Sequence, residues 1–263
     1  MALVTINDGQ AIGYDESGEG VKTPIVFLHG VGSDRSVWLR QLVHFGQERR
    51  AIALDYPGYG DSDPATEDTS RDDYAAAILA AMSQLGVYRA HICGLSLGGV
   101  VAIAMHASAP ERCASLILAD SFAVHPEGRA IYDRSVAGSS DMRALADSRV
   151  DVLLAQPADP KVRSEVIDTM AGIDPAAYRI GARAVWLAEQ SERASAIRVP
   201  TLVLCGSQDR VTPPALSHVL AQSIPGAQQA AIEGAGHLGN IERPAEFDTL
   251  VGAFIRGVDS RSS

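Results

Sequence analysis

With 263 residues, 46% of them hydrophobic and 21% charged, the chain has the composition of a globular protein large enough to bury a core without disulfide or metal staples. A formal net charge of −10 argues against a nucleic-acid partner, which requires clustered Lys and Arg, yet permits an anionic small molecule met by a few arginines in a pocket. Cys93, Cys113 and Cys205 give neither a disulfide framework nor zinc-ligand spacing. MALVTINDGQ has no basic segment followed by an apolar one, and no run reaches the roughly 18 apolar residues of a membrane helix, so neither leader nor membrane partner is expected.

Short apolar runs alternate with helical patterns along the chain. Pro24–Leu28 (PIVFL) reads as a buried strand and leads directly into His29-Gly30-Val31-Gly32. Ala51–Leu54 (AIAL) is a second strand, continued by Asp55-Tyr56-Pro57-Gly58-Tyr59-Gly60-Asp61-Ser62. Ser70 is a candidate N-cap for a helix over Asp73–Leu85, ended by Gly86. Ala90–Cys93 is a strand, Leu97–Ala109 a helix stopped by Pro110, and Ser115–Ala119 (SLILA) a further strand. The rhythm then breaks. From about Phe122 to Arg198 there is no buried strand, only helical stretches at Ser140–Leu154, Lys161–Ala171 and Ala177–Ser195, separated by Pro157, Pro160 and Pro175. Alternation resumes with strand Thr201–Cys205, helix Pro213–Ser223, strand Gln229–Ile232 and helix Pro244–Ile255, before a polar tail, Asp259–Ser263, expected to fray. Strands that are apolar throughout suit a parallel sheet covered on both faces. The expected fold is therefore α/β, with a mainly parallel sheet. Residues 1–121 and 199–263 form the core, and a helical cap is inserted at 122–198.

The strongest local signal is Gly94-Leu95-Ser96-Leu97-Gly98, a G-x-S-x-G pattern between a strand and a helix. That setting exposes a serine hydroxyl on a sharp turn, with glycines where side chains would block it. A serine nucleophile needs a base. His44, His106 and His218 fall within helices, His91 begins a strand and His125 enters the inserted segment. His237, in Gly234-Ala235-Gly236-His237, follows the last strand and is the candidate. Asp209 and Asp120 each follow a strand and compete as the orienting acid; Asp209, in a G-x-x-D-x-x-x-P turn, is favoured.

An oxyanion needs two convergent donors, and the N–H groups of Val31 and Leu97 are the candidates, one after the first buried strand and one at a helix N-terminus. Gly30 and Gly32 do not begin a dinucleotide loop, because Arg35 stands where the third glycine of G-x-G-x-x-G belongs. Candidate substrate contacts are His29, Arg134, Arg183 and Trp186. The arginine content of the inserted segment suggests a substrate carboxylate, and Arg183 lies one helical turn before Trp186.

At these residues the sequence resembles the α/β-hydrolase superfamily over nearly its whole length. The likeness rests on His29–Gly32, Asp55–Ser62, the Ser96 turn, the Asp209 loop and His237. A narrower resemblance, to 3-oxoadipate enol-lactonases, rests on Gly94-Leu95-Ser96-Leu97-Gly98-Gly99 and on Gly236-His237-Leu238-Gly239-Asn240-Ile241-Glu242-Arg243-Pro244. The chain departs from that family at His29-Gly30 and at Pro57-Gly58-Tyr59-Gly60. A His-Gly loop is also common in ring-cleavage (carbon–carbon) hydrolases. The resemblance implies a hydrolase that cleaves an ester or lactone of a small molecule through an acyl-enzyme, needing no metal or organic cofactor, and the cytoplasm is the expected location because the sequence shows neither leader nor membrane span. A serine nucleophile disfavours the branches that attack through a carboxylate. Carbon–carbon bond hydrolysis and a ligand receptor on a hydrolase scaffold are the alternatives, and homo-oligomerisation is left open.

Overall fold

The computed structural model describes residues 2–6 and 9–262; parts of the amino-terminal decapeptide, and Ser263 of the tail, lie outside the described residues. Among those described, eight strands form one sheet: β1 (Ala2–Thr5), β2 (Ala11–Ser17), β3 (Ile25–Leu28), β4 (Ala51–Leu54), β5 (Ala90–Leu95), β6 (Cys113–Ala119), β7 (Thr201–Gly206) and β8 (Gln228–Ile232). Their order is β1-β2-β4-β3-β5-β6-β7-β8, antiparallel over β1, β2 and β4 and parallel from β4 to β8. The six parallel strands are those legible as apolar runs. Every residue of β3 to β7 is buried, so both faces are covered. The antiparallel pair at the edge lacks that signal. β1 alternates half-buried and exposed positions, as a strand with one wet face does.

Helix α1 (Leu39–Phe45) precedes β4; α2 (Arg71–Gln84) and α3 (Leu97–Ser108) follow β4 and β5. Ser70 caps α2 in a reciprocal box with Asp73: the Ser70 hydroxyl accepts from Asp73 N–H and the Asp73 carboxylate from Ser70 N–H. Such a cap contributes about 1 kcal/mol. α3 is buried from Leu97 through His106, the central helix behind the sheet.

Between β6 and β7 the chain forms α4 (Gly128–Gly138), α5 (Met142–Leu153), α6 (Pro160–Ala171), α7 (Pro175–Trp186) and α8 (Ser191–Ser195), and no strand. The stretch expected as one helix over Ala177–Ser195 is thus two. It breaks where Glu189 bridges to Val124 and where Gln190 turns inward to donate to the Val100 carbonyl at 2.9 Å. After β7 come α9 (Pro214–Ser223), the short α10 (Gly239–Glu242) and α11 (Pro244–Ser262).

The tail expected to fray is helical as far as Ser262. α11 is held by Asp259, which accepts from Arg49 at 2.9 Å and lies 3.1 Å from His91 Nε2. The His91 Nδ1 is 2.8 Å from the Ser115 hydroxyl. Burial pushes the His91 imidazole down to about 4, outweighing the pull of Asp259 in the other direction; Arg49 and Arg89 add to the lowering. The folded protein therefore resists protonation that the unfolded chain accepts near 6.5. Stability conferred by the neutral imidazole is complete above about pH 6.5 and is lost progressively as pH falls toward 4. Urea midpoints measured across that window should fall more steeply for the wild type than for His91→Gln. Parallel slopes would show that His91 contributes nothing to the acid sensitivity.

Candidate active site

The chain runs from β3 outward to β4 and then returns to β5 on the other side of β3, so the order in which parallel strands are added reverses between β3 and β5. Ligands bind at the carboxyl ends of strands beside such a point. The loop after β3 and the turn after β5 meet there: a Cβ placed on Gly30 would lie 3.5 Å from the Ser96 Cβ.

Ser96 is the hinge of the turn, with φ 55° and ψ −111°, a left-handed conformation that a serine adopts only when its surroundings impose it. Three features impose it. A side chain at Gly94 would collide with the Gly98 backbone, and one at Gly98 with the Leu28 carbonyl. Ser96 N–H donates to the Ala119 carbonyl at 2.9 Å, and the Ser121 hydroxyl donates to the Ser96 carbonyl at 2.9 Å, fastening the turn to the end of β6. The Leu97 N–H stands at the N-terminus of α3, among the amides that a helix leaves without an internal partner.

His237 follows β8. Its Nδ1 is 2.9 Å from Asp209 Oδ2. The Asp209 carboxylate also accepts from Val211 N–H at 2.7 Å, Thr212 N–H at 3.0 Å and the Thr212 hydroxyl at 2.6 Å. Burial pushes the Asp209 carboxyl up, but His237 and the Thr212 donors more than offset it, leaving Asp209 below the usual carboxylate range.

Asp120 makes no hydrogen bond to His237. It sits fully buried at φ 47°, and its Oδ1 accepts from Gly206 N–H at 2.8 Å. Burial and the neighbouring Asp209 charge push its carboxyl well up, so it is neutral where Asp209 is charged. Asp120, Cys205 and Asp209 bring ligand atoms within 4.8 Å of one another. A cation there would compete with His237 and the Thr212 donors for Asp209.

Ser96 and His237 border one cavity enclosing about 690 Å³ of space between atoms, part of it open to solvent. Its floor includes Val31 and Leu238; its roof comes from α5, α6 and α7, through Leu153, Val166, Met170, Tyr178 and Trp186. The loop carrying His237 is tied to that roof. His237 N–H donates to the Leu153 carbonyl at 2.7 Å. The half-buried Glu242 carboxylate accepts from Gly236 N–H at 2.9 Å and from Ala155 N–H at 2.7 Å.

A family model described as the alpha/beta hydrolase fold matches residues 23–244. The chain belongs to the α/β-hydrolase family. It is 26% identical to 3-oxoadipate enol-lactonase 1 of Acinetobacter baylyi, over 97% of each chain. It is 30% identical to the dihydrolipoyllysine-residue acetyltransferase component of the acetoin cleaving system of Pseudomonas putida, over 92% of this chain but only 66% of that protein. The crystal structure of the enol-lactonase from Burkholderia xenovorans LB400 superposes with a TM-score of 0.90 at 28% identity, covering 97% of this chain and 100% of that one. No helix among the described residues is long and apolar enough to cross a membrane.

Within this α/β-hydrolase the nominated residues separate. Ser96, His237, Val31 and Trp186 all border the cavity. His29 does not: it is fully enclosed, its Nδ1 2.8 Å from the Gly30 carbonyl and its ring packed on Tyr56 and Tyr59, so it shapes the loop rather than touching a ligand. Arg183 also lies away from the cavity, because its guanidinium is drawn to the Glu67 and Thr69 carbonyls. Arg134 borders a neighbouring groove instead.

Sequence reasoning missed the bracing. Arg35 reaches Asp15, Asp55 and Asp61 together, while Tyr56 and Tyr59 donate to the His29 and Val31 carbonyls at 3.2 and 3.3 Å. The Asp55–Ser62 motif thus holds the loop that presents Val31. Thr212, Ser121 and Glu242 were equally unmarked, being ordinary polar residues until the fold brings them to the site.

Proposed function

We propose that this chain is a serine hydrolase of small-molecule carboxylic esters or lactones, with 122–198 as a cap over a core of 1–121 and 199–263. The observation that carries the reading is the 2.9 Å contact between His237 and Asp209 beside a cavity that the strained Ser96 also borders. Ser96 Oγ attacks the carbonyl carbon as His237 Nε2 takes its proton. The Val31 and Leu97 N–H groups receive the oxyanion. The carbon–oxygen bond breaks, and His237 returns the proton to the leaving alkoxide, which in a lactone stays on the acyl chain. Water, deprotonated by His237, then releases the acid and regenerates Ser96. Asp209 keeps the proton on Nδ1 throughout and stabilises the imidazolium. The mostly apolar wall of the cavity suits the hydrocarbon part of an acyl group, and the enol-lactonase relatives support the lactone assignment.

The test is steady-state release of nitrophenol from nitrophenyl butyrate, together with labelling by a fluorophosphonate. Release well beyond one equivalent of enzyme, and stoichiometric phosphonylation mapped to Ser96, are expected. A stall near one equivalent would instead identify a receptor scaffold. Turnover with Ser96 unlabelled would overturn the mechanism. Enol-lactones and vinylogous diketones assayed alongside decide between carbon–oxygen and carbon–carbon cleavage.

A further inference from the structure

The cap carries nine arginines, and seven of them are occupied, Arg198 by the carbonyls of Ser195 and Ile197. Arg129 pairs with Asp133, Arg143 with Asp147 and Asp168, Arg163 with Asp151, and Arg193 with Asp72. Arg179 reaches the Ser139 hydroxyl at 3.4 Å, and Arg183 the carbonyls of Glu67 and Thr69. Arg134 and Arg149 have no such acceptor among the described residues. These two border the same groove, on the outer side of the cap–core junction.

Arg149 and Val211 border both this groove and the catalytic cavity, so Arg149 stands where the two adjoin. Inside the cavity the other charged wall residue, Glu165, is already held by Arg40 through two bonds of 2.8 and 2.7 Å. The half-buried Arg149 is therefore the wall's one uncompensated charge, His237 aside. Along the groove, Arg210 is committed to the Asp151 and Leu154 carbonyls, His125 Nε2 lies 3.3 Å from the Val211 carbonyl, and Glu127 is the single carboxylate. The result is a net positive groove alongside the catalytic cavity of a chain whose net charge is −10. Arginines left unpaired on so acidic a protein, where aspartates serve most others on the same cap, point to an anion that is not part of the chain.

We infer that the groove is a second subsite that binds a carboxylate of the substrate, Arg149 contacting it at the junction and Arg134 from the groove wall. This rests on the serine-hydrolase reading and adds the substrate class: esters or lactones whose carbonyl lies at Ser96 and whose free carboxylate lies several bonds away, joined by hydrocarbon crossing the apolar cavity. A guanidinium binds a carboxylate through two parallel hydrogen bonds, and partial burial at Arg149 reduces the screening that makes exposed pairs weak. A neutral substrate leaves that charge unanswered.

The experiment compares kcat/KM for mono-nitrophenyl esters of the α,ω-diacids from succinate to suberate with the matching nitrophenyl methyl diesters. The wild type should prefer the anion at one chain length by about tenfold or more, chiefly through KM, and the preference should shrink as salt is raised. Arg149→Ala, and Arg149→Gln as a variant that keeps length and polarity, should bring the anion-to-neutral ratio close to one. Arg134→Ala should lower it less, and Arg183→Ala should leave it intact. A wild-type ratio at or below one at every chain length, or a ratio unchanged in Arg149→Gln, overturns the subsite. Failure of the underlying hydrolase reading looks different: neither ester is turned over, or both are still turned over by Ser96→Ala.

Discussion

Ser96→Ala should lose at least on the order of 10³ in kcat while the protein stays folded. The fold is expected to survive because the strain at this position belongs to the backbone. Alanine and serine carry the same Cβ into φ 55°, and the two bonds that fasten the turn, from Ser96 N–H and to the Ser96 carbonyl, use no side-chain atom of residue 96. Residual hydrolysis should persist, since the Val31 and Leu97 donors and the cavity remain. Nitrophenyl butyrate kinetics and thermal melts of the two proteins check this. A variant keeping more than about a tenth of wild-type kcat with an unchanged melt would remove Ser96 from the chemistry.

Asp209→Asn should cost roughly 10²–10⁴ in kcat, and Asp120→Asn less than about tenfold. The geometry gives the reason. Asp209 Oδ1 accepts from two backbone N–H groups, of Val211 and Thr212, so an asparagine there must keep its carbonyl oxygen at that position. Its NH₂ then falls where Oδ2 now faces His237 Nδ1, and a donor at that place favours the imidazole with Nδ1 bare, the tautomer unable to accept the Ser96 proton. At Asp120 the carboxyl is already neutral and needs only one acceptor, for Gly206 N–H, which an asparagine oxygen supplies. Kinetics of both variants at matched pH give the comparison, and a larger loss at Asp120 would exchange the two roles.

The parallel strands and the site serine were legible in the sequence because each carries a local physical requirement. β3 to β7 must be largely apolar to lie between two helical layers, and the Ser96 turn must be flanked by glycines where side chains would strike backbone. The edge strands β1 and β2 answer to no such requirement and left no run to find. Choosing between Asp120 and Asp209 needed distances, since both follow a strand. The arginines show the limit most clearly. Arg183 was attractive from its spacing to Trp186, but helical periodicity places a residue on a face without revealing which carbonyls on another segment await it. Arg149 had no sequence mark, because its distinction is the absence of a partner.

The Glu242 tether has a consequence for timing. The base and the roof of the cavity share a fastening: His237 N–H to the Leu153 carbonyl, and Glu242 to the amides of Gly236 and Ala155. A cap that swung open at that end would pull on the imidazole it covers. On the proposed mechanism the site is thus interlocked: proton transfer would be available only while this corner stays shut, and traffic of substrate and product would pass on the other side or disarm His237 as it goes.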